Sequence, residues 1–209
     1  MAGARRKVSA PLNEFHAEID RLLQFDAANQ ANFSTNGTLS KRQLQILTES
    51  IFFTAFRAYE NFIRDVFLLY CQEKTPPSGI RIKSYLKPIN FAHAEQLIKS
   101  SMRFLDRNNP EDLINRAELY LKDGYPIKIP YSANIEILRD MKFVRNHIAH
   151  NSEESLMKYK NVLKKHFGVV PLNIPQPGDF LLLQHRTKTT KYYLVVYLEF
   201  FRQLSIDLT

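Results

Sequence analysis

One cysteine, Cys71, stands among 209 residues, so the chain can close no intrachain disulfide and build no cysteine-based zinc site. Such usage fits a reducing compartment, and the cytoplasm is expected. Glycine is scarce too. Six in the whole chain are too few for a turn-dense all-β design or a glycine-rich phosphate loop. No apolar run approaches the roughly 20 residues a membrane-spanning helix needs, so no membrane partner is expected. The opening stretch MAGARRKVSAPLNEF has basic residues but no apolar segment behind them; it does not resemble a secretory signal and is expected to be a short frayed tail. Positive charge, in contrast, is plentiful. Twenty-nine Lys and Arg against 21 Asp and Glu leave a formal charge of +8, which favours polyanionic partners, nucleic acid before membrane.

The apolar pattern is helical nearly throughout and predicts an all-α protein, a single domain over residues 1–209 with its core at about 40–165. Ser40 and Gln43 form a capping-box pair that opens a long helix closed by Pro76 and Pro77. Its apolar residues recur at Leu44, Leu47, Ile51, Ala55, Tyr59, Phe62, Val66 and Leu69. Phe52, Phe53, Phe56 and Phe67 widen that surface beyond one stripe, which suits the centre of a bundle or a subunit interface. Shorter helices are expected over 11–30, over 91–106 after Asn90, and from Pro110 to about Leu121 with Asn109 as cap. A further helix should follow Ser132, and another should begin at an Asn151–Glu154 capping box and end at Gly168. Residues 169–190 form an irregular connector and 191–207 a closing helix. The β-rich run from Phe180 to Val196 also fits a strand pair.

The stretch RNHIAH, residues 145–150, closes one of these helices. Projected at about 100° per residue, Ile137, Met141, Val144 and Ile148 define an inward stripe, and Arg145 falls inside its edge. An arginine there has a carboxylate partner, snorkels to solvent, or holds an anion. His150 follows five residues later, about 140° around an ideal helix. Arg145 and His150 therefore converge only if the helix breaks near Ala149, or if two copies face each other across a symmetric dimer. A converged pair suits RNA cleavage. An imidazole can take the proton from the ribose 2′-OH or return one to the leaving 5′ oxygen, and a guanidinium can hold the charged phosphorane. Asn146 could orient either partner. No metal is required, and DNA, lacking the 2′-OH, would be spared.

The segment FVRNHIAH resembles the R-x4-6-H signature of HEPN domains, helical bundles named for higher eukaryotes and prokaryotes nucleotide-binding. The upstream ESIFFTAFRAYENFIRDVFLLY resembles the long second helix of the RiboL-PSP-HEPN-like branch, and the likeness spans roughly residues 40–165. It implies an antiparallel helical bundle, here with an extra C-terminal helix. It also implies a metal-independent endoribonuclease without cofactors, a homodimer with its active site at the interface, and a role as toxin or phage-defence effector with an antitoxin or defence-system partner. Carried over residue by residue, it makes Arg145 and His150 catalytic, with Asn146 in support; His147, beside them, is a further supporting candidate. Ser152 stands where toxins silenced by adenylylation carry a tyrosine, so that form of silencing is not expected. The rival expectation is a non-catalytic HEPN-like module that binds RNA, a nucleotide or a protein.

Other residues carry weaker signals. His147 and His150 could share a metal with Glu153 or Glu154, but the helix dipole already accounts for acids in a first turn. Glu60 and Arg64 are spaced for a salt bridge, while Glu60 or Arg57 might instead orient Arg145. His16, His93, His166 and His185 show no recognisable partners. Arg81, Lys83 and Lys87 could track an RNA backbone or simply form a solvated face.

Overall fold

The computed structural model describes residues 7–101, 109–188 and 190–209. Among these the chain is all-α, with nine helices: α1 (Ser9–Ser34), α2 (Lys41–Cys71), α3 (Phe91–Ser101), α4 (Pro110–Tyr120), α5 (Lys128–Ala133), α6 (Ile135–His150), α7 (Glu153–Phe167), α8 (Pro177–Leu181) and α9 (Tyr193–Asp207). None of them is long and apolar enough to cross a membrane. The strand pair considered for residues 180–196 reduces to one isolated bridge, Gln184 with Tyr192, because α8 and α9 occupy its flanks.

Local signals fix several of the helix starts. The Ser40 amide donates to the Gln43 side chain at 2.8 Å, and the Gln43 amide returns to Ser40 Oγ at 3.3 Å. Asn90 caps α3 by accepting the His93 amide at 2.9 Å, and the His93 ring accepts the Ile89 amide at 3.1 Å. Pro110 stands at the first turn of α4. The expected extension of α3 to residue 106 lies outside the described residues.

The helix ends depart more from expectation. Helix α2 stops at Cys71, before the prolines, because Glu73 takes a left-handed φ of 57° and Lys74 closes the turn onto the Leu69 carbonyl. Ser132 lies inside the short helix α5, and α6 begins only after Asn134. Arg64 pairs with its neighbour Asp65 at 2.8 Å rather than with Glu60.

Two compact units divide the chain. The first comprises Met1–His16, Tyr59–Leu138 and Gln203–Thr209. Its core includes the second half of α2, where Val66 to Cys71 are all buried. Phe15 stacks on Phe62 at 5.2 Å, and the Tyr59 and Tyr131 hydroxyls meet at 2.8 Å. Burial pushes the Cys71 thiol up to about 12, which makes it inert at neutral pH. The second unit comprises Ala17–Ala58 and Arg139–Arg202. There Phe52 packs on Tyr197, Phe56 on Phe201, and Phe180 stacks on Tyr193 at 4.6 Å. The backbone of α8 lies close to α2. The Gly178 amide donates to Glu49 at 2.8 Å, and a Cβ on Gly178 would stand 2.7 Å from the Gln45 carbonyl oxygen.

Candidate functional site

Helix α6 buries Leu138, Met141, Val144 and His147. The inward row is thus turned from the expected one. Leu138 takes the place given to Ile137, and His147 lies inward while Ile148 is only half-buried. The cause lies in the next helix, which offers His147 a partner. Its ring stacks on Tyr159 with centroids 4.9 Å apart, and Nδ1 lies 3.0 Å from Ser155 Oγ. The Ser155 hydroxyl spends its one proton on the Ser152 carbonyl at 2.8 Å, so His147 Nδ1 is assigned as the donor.

The same serine builds the break between α6 and α7. Ser152 is the N-cap, accepting the Ser155 amide at 3.2 Å, and the Ser152 amide donates to Ser155 Oγ at 2.9 Å. The expected Asn151–Glu154 box is therefore replaced by Ser152–Ser155. Asn151 instead adopts φ 43°, a left-handed conformation that asparagine tolerates better than most residues. Glu154 pairs with Lys158 at 2.6 Å. Because the break follows His150, α6 is continuous from Arg145 to His150. The intrachain convergence that needed a break near Ala149 is not made.

Burial lowers the His147 pKa below its ordinary value. As pH falls through about 6.5, the unfolded chain protonates this residue first, so the folded state loses stability from there downward through its own lower pKa. A His147→Asn variant should show a flatter decline in urea midpoint between pH 7 and pH 5 than the wild type. Parallel declines in the two proteins would contradict this role.

Arg145 is half-buried on the flank of the inward row. Its guanidinium carbon sits 5.2 Å from the Phe53 ring centroid and 5.8 Å from that of Phe56, a cation–π shelf supplied by α2. One terminal nitrogen donates to Asn146 Oδ1 at 3.1 Å. Beside it an open groove of about 420 Å³ runs between α2 and the end of α6, lined by Ile46, Phe53, Thr54, Ile148 and Ala149 among others. His150, the last residue of α6, is exposed and has no hydrogen-bond partner among the described residues.

The remaining candidates are scattered. Arg57 is exposed one turn beyond Phe53. Glu60 is half-buried on the α2 segment of the first unit, where burial raises the Tyr131 hydroxyl pKa and the Glu60 charge adds to it. Arg81, Lys83 and Lys87 are exposed between α2 and α3. His147 and His150 turn to opposite environments, one buried and one exposed, which does not suit a shared metal ion. Three other histidines acquire side-chain partners that the sequence hid: His16 with Ser205, His166 with Tyr193, and His185 with Thr187. The aromatic shelf was also missed, although Phe53 and Phe56 stood out as phenylalanines in excess of the α2 stripe. Comparison with protein-family models, characterised proteins and solved structures finds no match for this chain.

Proposed function

We propose that this protein is a metal-independent, HEPN-type endoribonuclease that acts on RNA in the cytoplasm as a homodimer. The carrying observation is the posture of Arg145. Its guanidinium rests on Phe53 and Phe56 and is tied to Asn146, on the helix that ends in the exposed His150. A guanidinium so held supplies positive charge for a phosphate oxygen. One copy's Arg145 would hold the scissile phosphate while the other copy's His150 moves the proton, since about 140° separates the two within a continuous helix. The groove beside Phe53, with Ile46 47% exposed, offers the apolar surface such an association needs. Attack of the 2′-oxygen on phosphorus would break the bond to the 5′ oxygen and leave a 2′,3′-cyclic phosphate. A toxin or defence effector, restrained by a partner protein, is the biological role this activity fits.

The test is incubation of RNA with wild type and His150→Ala in EDTA. Cyclic-phosphate ends should appear with wild type and fall about a hundredfold or more in the variant, while DNA stays intact. Equal cleavage by both proteins would overturn the proposal. The bare environment of His150, with no group to orient its ring, favours the second reading: a non-catalytic module that binds RNA, a nucleotide or a protein. That reading expects no cleavage by either protein.

A further inference from the structure

Between Glu73 and Glu95 the chain carries Lys74, Arg81, Lys83 and Lys87 and no acidic residue. Along residues 81–88 exposure alternates. Arg81, Lys83, Tyr85 and Lys87 face solvent, whereas Ile82 is buried and Ser84, Leu86 and Pro88 are half-buried. The alternation has a mechanical cause. Ser84 forms an antiparallel bridge with Leu121, flanked by Lys122 N–H to Lys83 carbonyl and Tyr85 N–H to Tyr120 carbonyl, each 2.9 Å. The Ser84 amide also donates to the Glu73 carboxylate at 3.0 Å. With the backbone of Lys83 and Tyr85 tied to Lys122 and Tyr120 and the even-numbered side chains turned inward, the odd-numbered side chains face outward.

We infer that Arg81, Lys83, Tyr85 and Lys87 form a basic patch around an exposed aromatic that binds single-stranded nucleic acid, the cations meeting phosphates and Tyr85 stacking on a base. The chain bends at Tyr85, where the Leu86 amide turns back to Ser84 Oγ at 3.0 Å, so Arg81 and Lys83 lie on one limb, roughly 6.6 Å apart, and Lys87 lies beyond the bend, with the aromatic at its apex. None of the three cations forms an ion pair with a described residue. Tyr85 is 64% exposed and packs on no other ring among the described residues. A duplex keeps its bases stacked inside and offers that face nothing. A bilayer would call for a continuous apolar face, yet the exposed Ile80 and Ile89 are nine positions apart in the segment, with the cations between them in sequence. The surface belongs to the first compact unit and does not rest on the nuclease reading.

The experiment is fluorescence anisotropy of the whole protein with a labelled 2′-O-methyl oligouridine of about a dozen nucleotides, which 2′-OH chemistry cannot cleave. Binding should weaken with salt. Tyr85→Ala should reduce affinity about tenfold without changing the salt slope, and Tyr85→Phe should restore it. The double variant Lys83→Gln with Lys87→Gln should lower the slope of log affinity against log salt by about 1.4. All these side chains are exposed, and circular dichroism checks that each variant is folded. Failure to bind the oligonucleotide at low salt, or unchanged affinity in Tyr85→Ala, would overturn the inference. So would a hairpin duplex bound as tightly as the single strand, or phosphatidylserine vesicles bound in preference to the oligonucleotide.

Discussion

Arg145→Ala should lower RNA cleavage by about a hundredfold to a thousandfold while leaving a folded protein, the loss typical for one charged or hydrogen-bonding group aimed at a developing oxyanion. The reasoning separates what this arginine gives the fold from what it would give the reaction. Its contact with Phe53 and Phe56 is a half-buried cation–π arrangement, worth about 1 kcal/mol. In a chain of this size that corresponds to a fall in Tm of about 2–4 °C. A phosphorane carries more charge than the ground-state phosphate, so the guanidinium matters most at the top of the barrier. Arg145→Lys should recover little, because an ammonium keeps the charge but loses the planar fork that Asn146 helps to hold. Cleavage rates and thermal melts on the same preparations decide the matter. A large drop in Tm with cleavage per folded molecule unchanged would make Arg145 a structural residue.

Tyr159→Ala should cost about 3–5 kcal/mol, the range for removing a large aromatic from a core. Tyr159 is fully buried, stacks on His147, meets Phe180 edge-on at 6.1 Å and donates its hydroxyl to the Pro175 carbonyl at 3.2 Å. Truncation leaves a cavity beneath the helix that carries Arg145 and deprives the His147 ring of its stacking surface. Against a total stability of roughly 5–15 kcal/mol, the loss should show as a large shift in the urea midpoint. Tyr159→Phe keeps the ring and gives up one hydrogen bond, so about 1 kcal/mol is expected. A Tyr159→Ala midpoint equal to that of Tyr159→Phe would refute this account of the core.

Features written in adjacent residues were legible in the sequence. The Ser40–Gln43 box, the helix start after Asn90, Pro110 and the long apolar period of α2 all act within a few positions, and all appear in the fold. Helix ends were harder, because two of them turn on left-handed conformations at Glu73 and Asn151 rather than at glycine or proline. The capping box at α7 was misplaced by one residue. Ser155 serves both the Ser152 backbone and His147, a double duty that pattern alone does not reveal. The inward register of α6 was displaced for the same reason: a histidine became a core residue once Tyr159 and Ser155 supplied its partners. The shelf beneath Arg145 joins residues about ninety positions apart, and no local period encodes such a meeting.

The position of the α6–α7 joint gives the two candidate residues unequal stiffness. Arg145 sits more than a turn inside α6, braced by two rings and a neighbouring amide. His150 rides on the final residue, beside left-handed Asn151, where a helix has begun to give up its own hydrogen bonds. The guanidinium is a fixed jig and the imidazole a compliant arm. In the proposed reaction a phosphate would be held to tight tolerance while His150 adjusts its reach.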